Sequence, residues 1–290
     1  MKRLLVFLLC ASAVFLSCKD NQIGSALTSA EISMNDKPES SLEVLESIDK
    51  DLLSTRKQKA KYALLYSMAL DKNYIDIKAD SIIAPAVKYY ECHGSIDDKI
   101  KSLYYYARVQ YNSGEYNPAI VTLMKTIPLF DNSSEVRYLA LVHNMLAVLY
   151  NESGLFEESF EHLSIAYDSA IKCNDYKLAD LILRRKGVYY SNIKDYDKAE
   201  YWYQKVLIES DTLNINTNFP YLYLHLAEVA KCNGNTIQAQ HFLNTLLLDC
   251  PDIKIRKQAK EDLETLRWIF DNDKAEENTT VVNLGHNVNN

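Results

Sequence analysis

Sliding the chain by 40 residues lays it over itself, with Gly114, Gly154, Lys194 and Gly234 in one column. Ala107, Ala147, Gly187 and Ala227 align before that column, and Tyr116, Phe156, Tyr196 and Thr236 just after it. Further on come Ala119, Ser159, Ala199 and Ala239, then Leu123, Leu163, Tyr203 and Leu243. The stretch from Ala140 to Cys173 shows what one period contains. Leu146, Ala147 and Tyr150 are spaced for one helical face, Gly154 interrupts, and Phe156, Leu163 and Ala166 resume the spacing. Each period is therefore a helix, a turn and a helix. Small residues on facing sides let the two backbones approach, and large residues one turn away fill the space between neighbouring hairpins. No single hairpin buries its own face, so the hairpins must stack.

These columns resemble the tetratricopeptide repeat (TPR): large, small and aromatic positions on helix A, then Gly-x-Tyr, Ala, a large residue and Ala on helix B. Copies fall near residues 100–133, 140–173, 180–213 and 220–253, and Pro251 occupies the proline column that closes a repeat. The spacing departs from the usual 34 residues, which places about six extra residues between hairpins. Lys186 and Lys194 stand where the pattern has an apolar residue and a glycine. The resemblance implies an all-α fold, a right-handed TPR-like solenoid of helical hairpins (an α-α superhelix) with a C-terminal capping helix.

The chain begins MKRLLVFLLCASAVFLSC, a basic start, an apolar run from Leu4 to Leu16, then Ser17 and Cys18. The run is too short to span a membrane and reads as a secretory signal. A small residue directly before a cysteine resembles the bacterial lipobox, which implies a signal peptide over 1–17 and lipidation of Cys18. Multiple acyl chains anchor firmly where one binds marginally. The Ser-rich, polar passage over 18–40 reads as a flexible tether. Lys19-Asp20 after the cysteine faintly resembles a surface-export signal of Bacteroidetes lipoproteins. Facing the periplasm from the outer membrane is the plainer expectation.

From Ser41, Leu42, Leu45, Ile48 and Leu52 trace a short helix, and Lys57 to Asp71 a longer one. A third is expected from an N-cap at Asp80 to Gly94, with Pro85 in its first turns. Residues 41–96 thus read as a degenerate repeat. At the other end, Ile255, Ala259, Leu263, Leu266 and Phe270 form a stripe opposite Lys257, Lys260, Glu261 and Glu264, suiting a cap over 254–272. The tail over 273–290 lacks periodicity and reads as disordered.

Without Lys2 and Arg3 the chain keeps 30 of its 32 basic residues against 39 acidic ones, which disfavours nucleic acid. Seven glycines, six prolines and 48% hydrophobic residues fit short turns between helices. Beyond Cys10 and Cys18 four cysteines remain, Cys92, Cys173, Cys232 and Cys250. The ends of a hairpin lie about 20 Å apart, past the roughly 7 Å limit for a disulfide, so all four are expected to stay reduced.

No local signature of chemistry is present. The six histidines make no His-x-x-x-His or His-Glu-x-x-His spacing, so no metal site is expected. Phosphate loops, Gly-x-Ser-x-Gly elbows and Cys-x-x-Cys pairs are missing too, which points to no cofactor and no enzymatic activity.

Recognition is then left to a surface. The helix A columns that face the concave groove of a TPR array hold Lys101, Tyr104, Arg108, Tyr111, Asn112, Asn144, Asn151, Arg184, Ser191, Asn192, Tyr221, Glu228 and Lys231. Together they read as a polar, locally basic strip with rigid aromatics for stacking. Some relatives with this repeat grip a peptide's terminal carboxylate with Lys and Asn, then Asn, then Lys and Arg in successive repeats. That clamp is not reproduced here, but Arg108, Asn144 and Arg184 suit an acidic segment through charge-assisted hydrogen bonds. The alternative is that they are merely solvated.

The leading expectation is a membrane-anchored, non-catalytic scaffold that binds a peptide or a partner protein's helix in the groove, with no nucleic acid partner. By resemblance it belongs with TPR lipoproteins of the Bacteroidetes, in envelope signalling. Resemblance also offers an accessory lipoprotein of outer-membrane assembly, or a glycan-capture lipoprotein.

Overall fold

A computed structural model describes residues 22–212 and 220–277. The signal peptide, Cys18 and the tail from residue 278 lie outside the described residues. Regular structure among them is helical throughout. The chain divides after Cys173 into two compact units.

The first unit holds α1 (residues 22–33), α2 (Pro38–Glu46), α3 (Arg56–Lys72), α4 (Ala84–Tyr90), α5 (Ile96–Asn112), α6 (Tyr116–Thr126), α7 (Val136–Glu152) and α8 (Phe156–Lys172). The second holds α9 (Tyr176–Asn192), α10 (Tyr196–Thr212), α11 (Pro220–Cys232), α12 (Thr236–Asp249) and α13 (Ile253–Glu277). Consecutive helices pair as hairpins, α3 with α4, α5 with α6 and α7 with α8, then α9 with α10 and α11 with α12. The fold is all-α and built of TPR-like repeats, as the columns require. Helix A begins at Ile96, Val136 and Tyr176, a constant interval of 40 residues.

In α7–α8 and α9 the extra residues of that interval lengthen the helices, with only 173–175 between α8 and α9. After the shorter α6 they lie between hairpins as expected, as a 3-10 turn over Ile127–Asn132 and the residues up to Val136. Helices α5, α7, α8, α9 and α10 each have 17 residues. Three-residue turns at 113–115, 153–155 and 193–195 join the two helices of a hairpin. No Gly or Pro breaks the helices near their ends, so each continues for nearly another turn.

The glycine column marks the turn. Gly114, Gly154 and Gly234 adopt left-handed φ values of 79°, 75° and 71°, and Lys194 is forced to 62°. The next residue in each case donates back five positions: Glu115 to Gln110, Leu155 to Tyr150, Asp195 to Tyr190 and Asn235 to Ala230, at 2.8–2.9 Å. This is a Schellman closure, which satisfies carbonyls that the helix end would otherwise orphan. Behind the turn the small columns are fully packed, with Ala107, Ala119, Leu123, Ala166, Ala199 and Ala239 wholly buried. Each buried leucine contributes about 1.5–3 kcal/mol.

Three expectations need correction. Residues 22–33 are not tether but helix, with Ile23, Leu27, Ala30 and Met34 buried against Leu45, Leu53, Tyr62, Leu65 and Ala69. Their spacing is a helical stripe hidden among serines. Ser41 seals the α1–α2 pair, its hydroxyl donating to the Ala30 carbonyl at 3.0 Å. Asp80 caps no α-helix: it opens a short 3-10 turn, and α4 starts at Ala84 with Pro85 in its first turn. The caps that do form are Thr55 with Gln58 on α3 and Ser95 with Asp98 on α5, reciprocal capping boxes. Finally α13 runs on to Glu277, so 273–277 is helical rather than disordered. Ala, Lys and Glu there are strong helix formers, which suits the continuation.

Candidate functional site

In the first unit α3 touches α5 and α5 touches α7, so the A helices form one side of the stack. In the second, α11 touches α13. The expected groove residues lie on these helices, but most are already engaged.

On α5, Tyr104 is a core residue, 7% exposed, and meets Tyr105 and Tyr138 edge-on at 5.1 and 5.7 Å. Burial raises the Tyr105 and Tyr138 hydroxyl pKa values, so this cluster stays neutral. Arg108 donates from both Nε and Nη2 to Asp71 Oδ1, at 2.8 and 2.6 Å. Burial opposes its charge, but Tyr104 and then Asp71 outweigh that and hold its pKa above the ordinary value. Lys101 pairs with Glu135 at 2.5 Å. Asn112 donates to the Ile77 carbonyl at 3.2 Å, and Tyr111 stacks on Tyr116 at 5.5 Å. On α7, Asn144 is buried and Asn151 half-buried.

The second unit repeats the pattern. Arg184 donates to Asp180 Oδ2 at 2.8 Å, and its buried Nε has no acceptor among the described residues. Ser191 bonds the Tyr203 side chain. Lys231 bridges Glu228 at 2.5 Å and Asp262 at 3.6 Å. Burial works against that ammonium, yet the hydrogen bond to Glu228 and the charge of Asp262 raise its pKa. Asn192 is exposed, and Tyr221 is 60% exposed.

The strip is therefore not basic. Each of its four cations is neutralised by a carboxylate, and three of those carboxylates (Asp71, Glu135 and Asp262) come from other segments of the stack. Reading columns within helix A cannot see those partners. Tyr104 and Asn144 drop out as groove residues because they face inward, and Arg108 and Arg184 are not available as a carboxylate clamp. Tyr221, Asn192 and, in part, Asn151 remain accessible.

One polar cluster escaped the sequence reading. His143 on α7 and His162 on α8 place their Nδ1 atoms 2.7 Å apart, and the Tyr150 ring lies parallel to His162 at 5.3 Å. Burial, then the neighbouring imidazole, lowers the His143 pKa to about 4, so it is neutral near pH 7. A search for spacings within one helix misses a pair formed across a turn; comparing facing columns would have found it. Among the described residues no three His, Cys, Asp or Glu side chains are grouped to hold a metal ion. Cys92, Cys173, Cys232 and Cys250 carry free thiols. No described helix is long and apolar enough to cross a membrane.

The class these features define is a TPR-like helical-repeat protein. Similarity to solved structures agrees. A Rap protein complexed with competence and sporulation factor superposes with a TM-score of 0.61 at 13% identity, over 89% of this chain and 74% of that one. NprR in complex with its cognate peptide NprX gives 0.58 at 14% identity, over 86% and 74%. A thermophilic TPR protein from Thermus thermophilus gives 0.51 at 20% identity, over 70% and 98%. At the sequence level no family model and no curated protein matches the chain.

Proposed function

We propose that this chain is a non-catalytic interaction module whose A-helix face takes an extended peptide or a helix of a partner protein. The observation that carries the reading is the continuous side formed by α3, α5 and α7, whose cations are internally neutralised while Asn151 stays partly accessible. Asn192 and Tyr221 offer the same kind of contact on the second unit. Two structures of the same fold, those of Rap and NprR, hold competence and sporulation factor and a cognate peptide. With its arginines already paired, the face favours neutral, amide-rich or aromatic segments over acidic ones.

The module is tethered to the cell envelope by lipid on Cys18, facing the periplasm from the outer membrane, and it serves envelope signalling. The lipobox-like sequence ending at Cys18 supports the lipid anchor.

Photo-crosslinking residues placed at Asn151 and Asn192 in intact cells test the face, with Val121, exposed on α6, as the control position. A discrete adduct from the A-helix positions alone is the expected result. An adduct from Val121 alone would relocate the binding surface. Cys18→Ser should abolish fatty-acid labelling and release the chain from membranes, and persistent membrane association refutes the anchor.

A further inference from the structure

The cations of the A-helix face are paired, but three others are not. Arg56 and Lys59, in the first turn of α3, and Lys88, on α4, form no ion pair among the described residues. They converge on a cavity of about 310 Å³ whose other lining residues are Pro85, Tyr89 and His93. None of these six is acidic, in a chain with 39 acidic and 32 basic residues. The Tyr89 and His93 rings, stacked on each other at 4.9 Å with 15° between planes, both belong to the lining.

The charge placement runs against local preference. The first turn of α3 contains Arg56, Lys57 and Lys59 and no acid, at the helix end where the macrodipole is already positive. A helix optimised for its own stability carries Asp or Glu there, as α5 does with Asp97 and Asp98. An anion relieves the repulsion, because the helix N-terminus, two side chains of α3 and one of α4 all attract negative charge. Tyr89 and His93 add aromatic surface against which a ring can pack.

We propose that the cavity between α3 and α4 binds a doubly charged anionic group carried on an aromatic ring, the chemistry of an aryl phosphate. The site shares α3 with the A-helix face but is built from that helix's first turn together with α4 and His93, and it stands whether or not that face binds a peptide. A free aryl phosphate and a phosphorylated tyrosine side chain share this chemistry and are distinguished by the probes.

Titration calorimetry of the full chain with phenyl phosphate, a short phosphotyrosine peptide, inorganic phosphate and phenol tests it. Phenyl phosphate should bind saturably, about three- to tenfold tighter than inorganic phosphate, with phenol showing no binding. The triple change Arg56→Gln, Lys59→Gln and Lys88→Gln alters exposed side chains and should weaken phenyl phosphate at least about tenfold. Tyr89→Leu should remove the preference for the aryl ligand while leaving inorganic phosphate unchanged. If the peptide binds more tightly than phenyl phosphate, the source is a protein segment; the reverse order points to a small molecule. Absence of saturable phenyl phosphate binding, or equal affinity in the folded triple variant, overturns the proposal.

Discussion

The hairpins α7–α8 and α9–α10 have the same length, the same turn and the same period, yet they solve the same packing problem with different residues. In α7–α8 the crossing columns hold Ala147 and Leu163, both buried. In α9–α10 the same columns hold Gly187 and Tyr203, and a Cβ built on Gly187 would lie 2.3 Å from the Tyr203 ring. The larger residue on one helix is matched by the loss of a methyl on the other. Ala140 and Ala170 are wholly buried in the first hairpin. Their counterparts Asp180 and Ser210 are buried too, joined by a 2.8 Å hydrogen bond. The His143–His162 pair is replaced by Leu183 and Trp202, and Leu146 by Lys186, whose ammonium sits 4.8 Å over the Trp202 ring. A shared geometry thus tolerates exchanged chemistry, provided that the two sides of a hairpin change together.

The largest expected effect separates the hairpins by pH. Because burial lowers the His143 pKa to about 4, the unfolded chain, with its ordinary histidine near 6.5, binds the proton first. Stability is therefore full above pH 6.5 and falls as pH drops toward 4, by up to about 3 kcal/mol. Urea unfolding at pH 7 and at pH 4.5 measures the loss. His143→Leu, which copies Leu183, should flatten this step; an unchanged pH slope would break the assignment.

Next comes the small-for-large exchange. Gly187→Ala should destabilise by about 2 kcal/mol through overpacking against Tyr203, and adding Tyr203→Leu should recover at least half of that. A double variant no better than the single one would show that the two columns are uncoupled. Ala147→Gly, by contrast, should cost only about 1 kcal/mol, since it adds backbone freedom without a clash.

Asp180→Ala leaves Ser210 and Arg184 without their acceptor, an expected loss of about 1–2 kcal/mol. Converting both Asp180 and Ser210 to alanine recreates the pair Ala140 and Ala170, and denaturation should find it more stable than the single variant. The smallest effect is at the turn. Lys194 holds a φ of 62° where its equivalents are glycine, so Lys194→Gly should raise unfolding stability by about 0.5–1 kcal/mol. Gly154→Ala should move stability the opposite way.

Much of the fold was legible because it rests on periodic, local features. The glycine column located the turns, and the Ala and Leu columns located the crossings, since a helical hairpin repeats the same geometry every period. What failed was whatever lacked a repeat to be aligned with. The stripe Ile23, Leu27, Ala30 and Met34 has no copy elsewhere and hides among polar residues. The candidate face was legible as a set of positions but not as a chemical surface. Arg108 looked free because Asp71 lies 37 residues away. The cations of the α3–α4 cavity were not legible as a group because Lys88 joins Arg56 and Lys59 only when the helices pair.

The sequence by itself determined that the chain is a stack of helical hairpins, where each turn falls and which columns are small or large, because backbone conformation and hydrophobic period are encoded within one or two helical turns. Tertiary structure alone decided which charges are neutralised across segments, as Lys101, Arg108 and Lys231 are by Glu135, Asp71 and Asp262. Those pairs depend on distances of 2.5–3.6 Å between side chains far apart in the sequence, and no spacing along the chain specifies those distances.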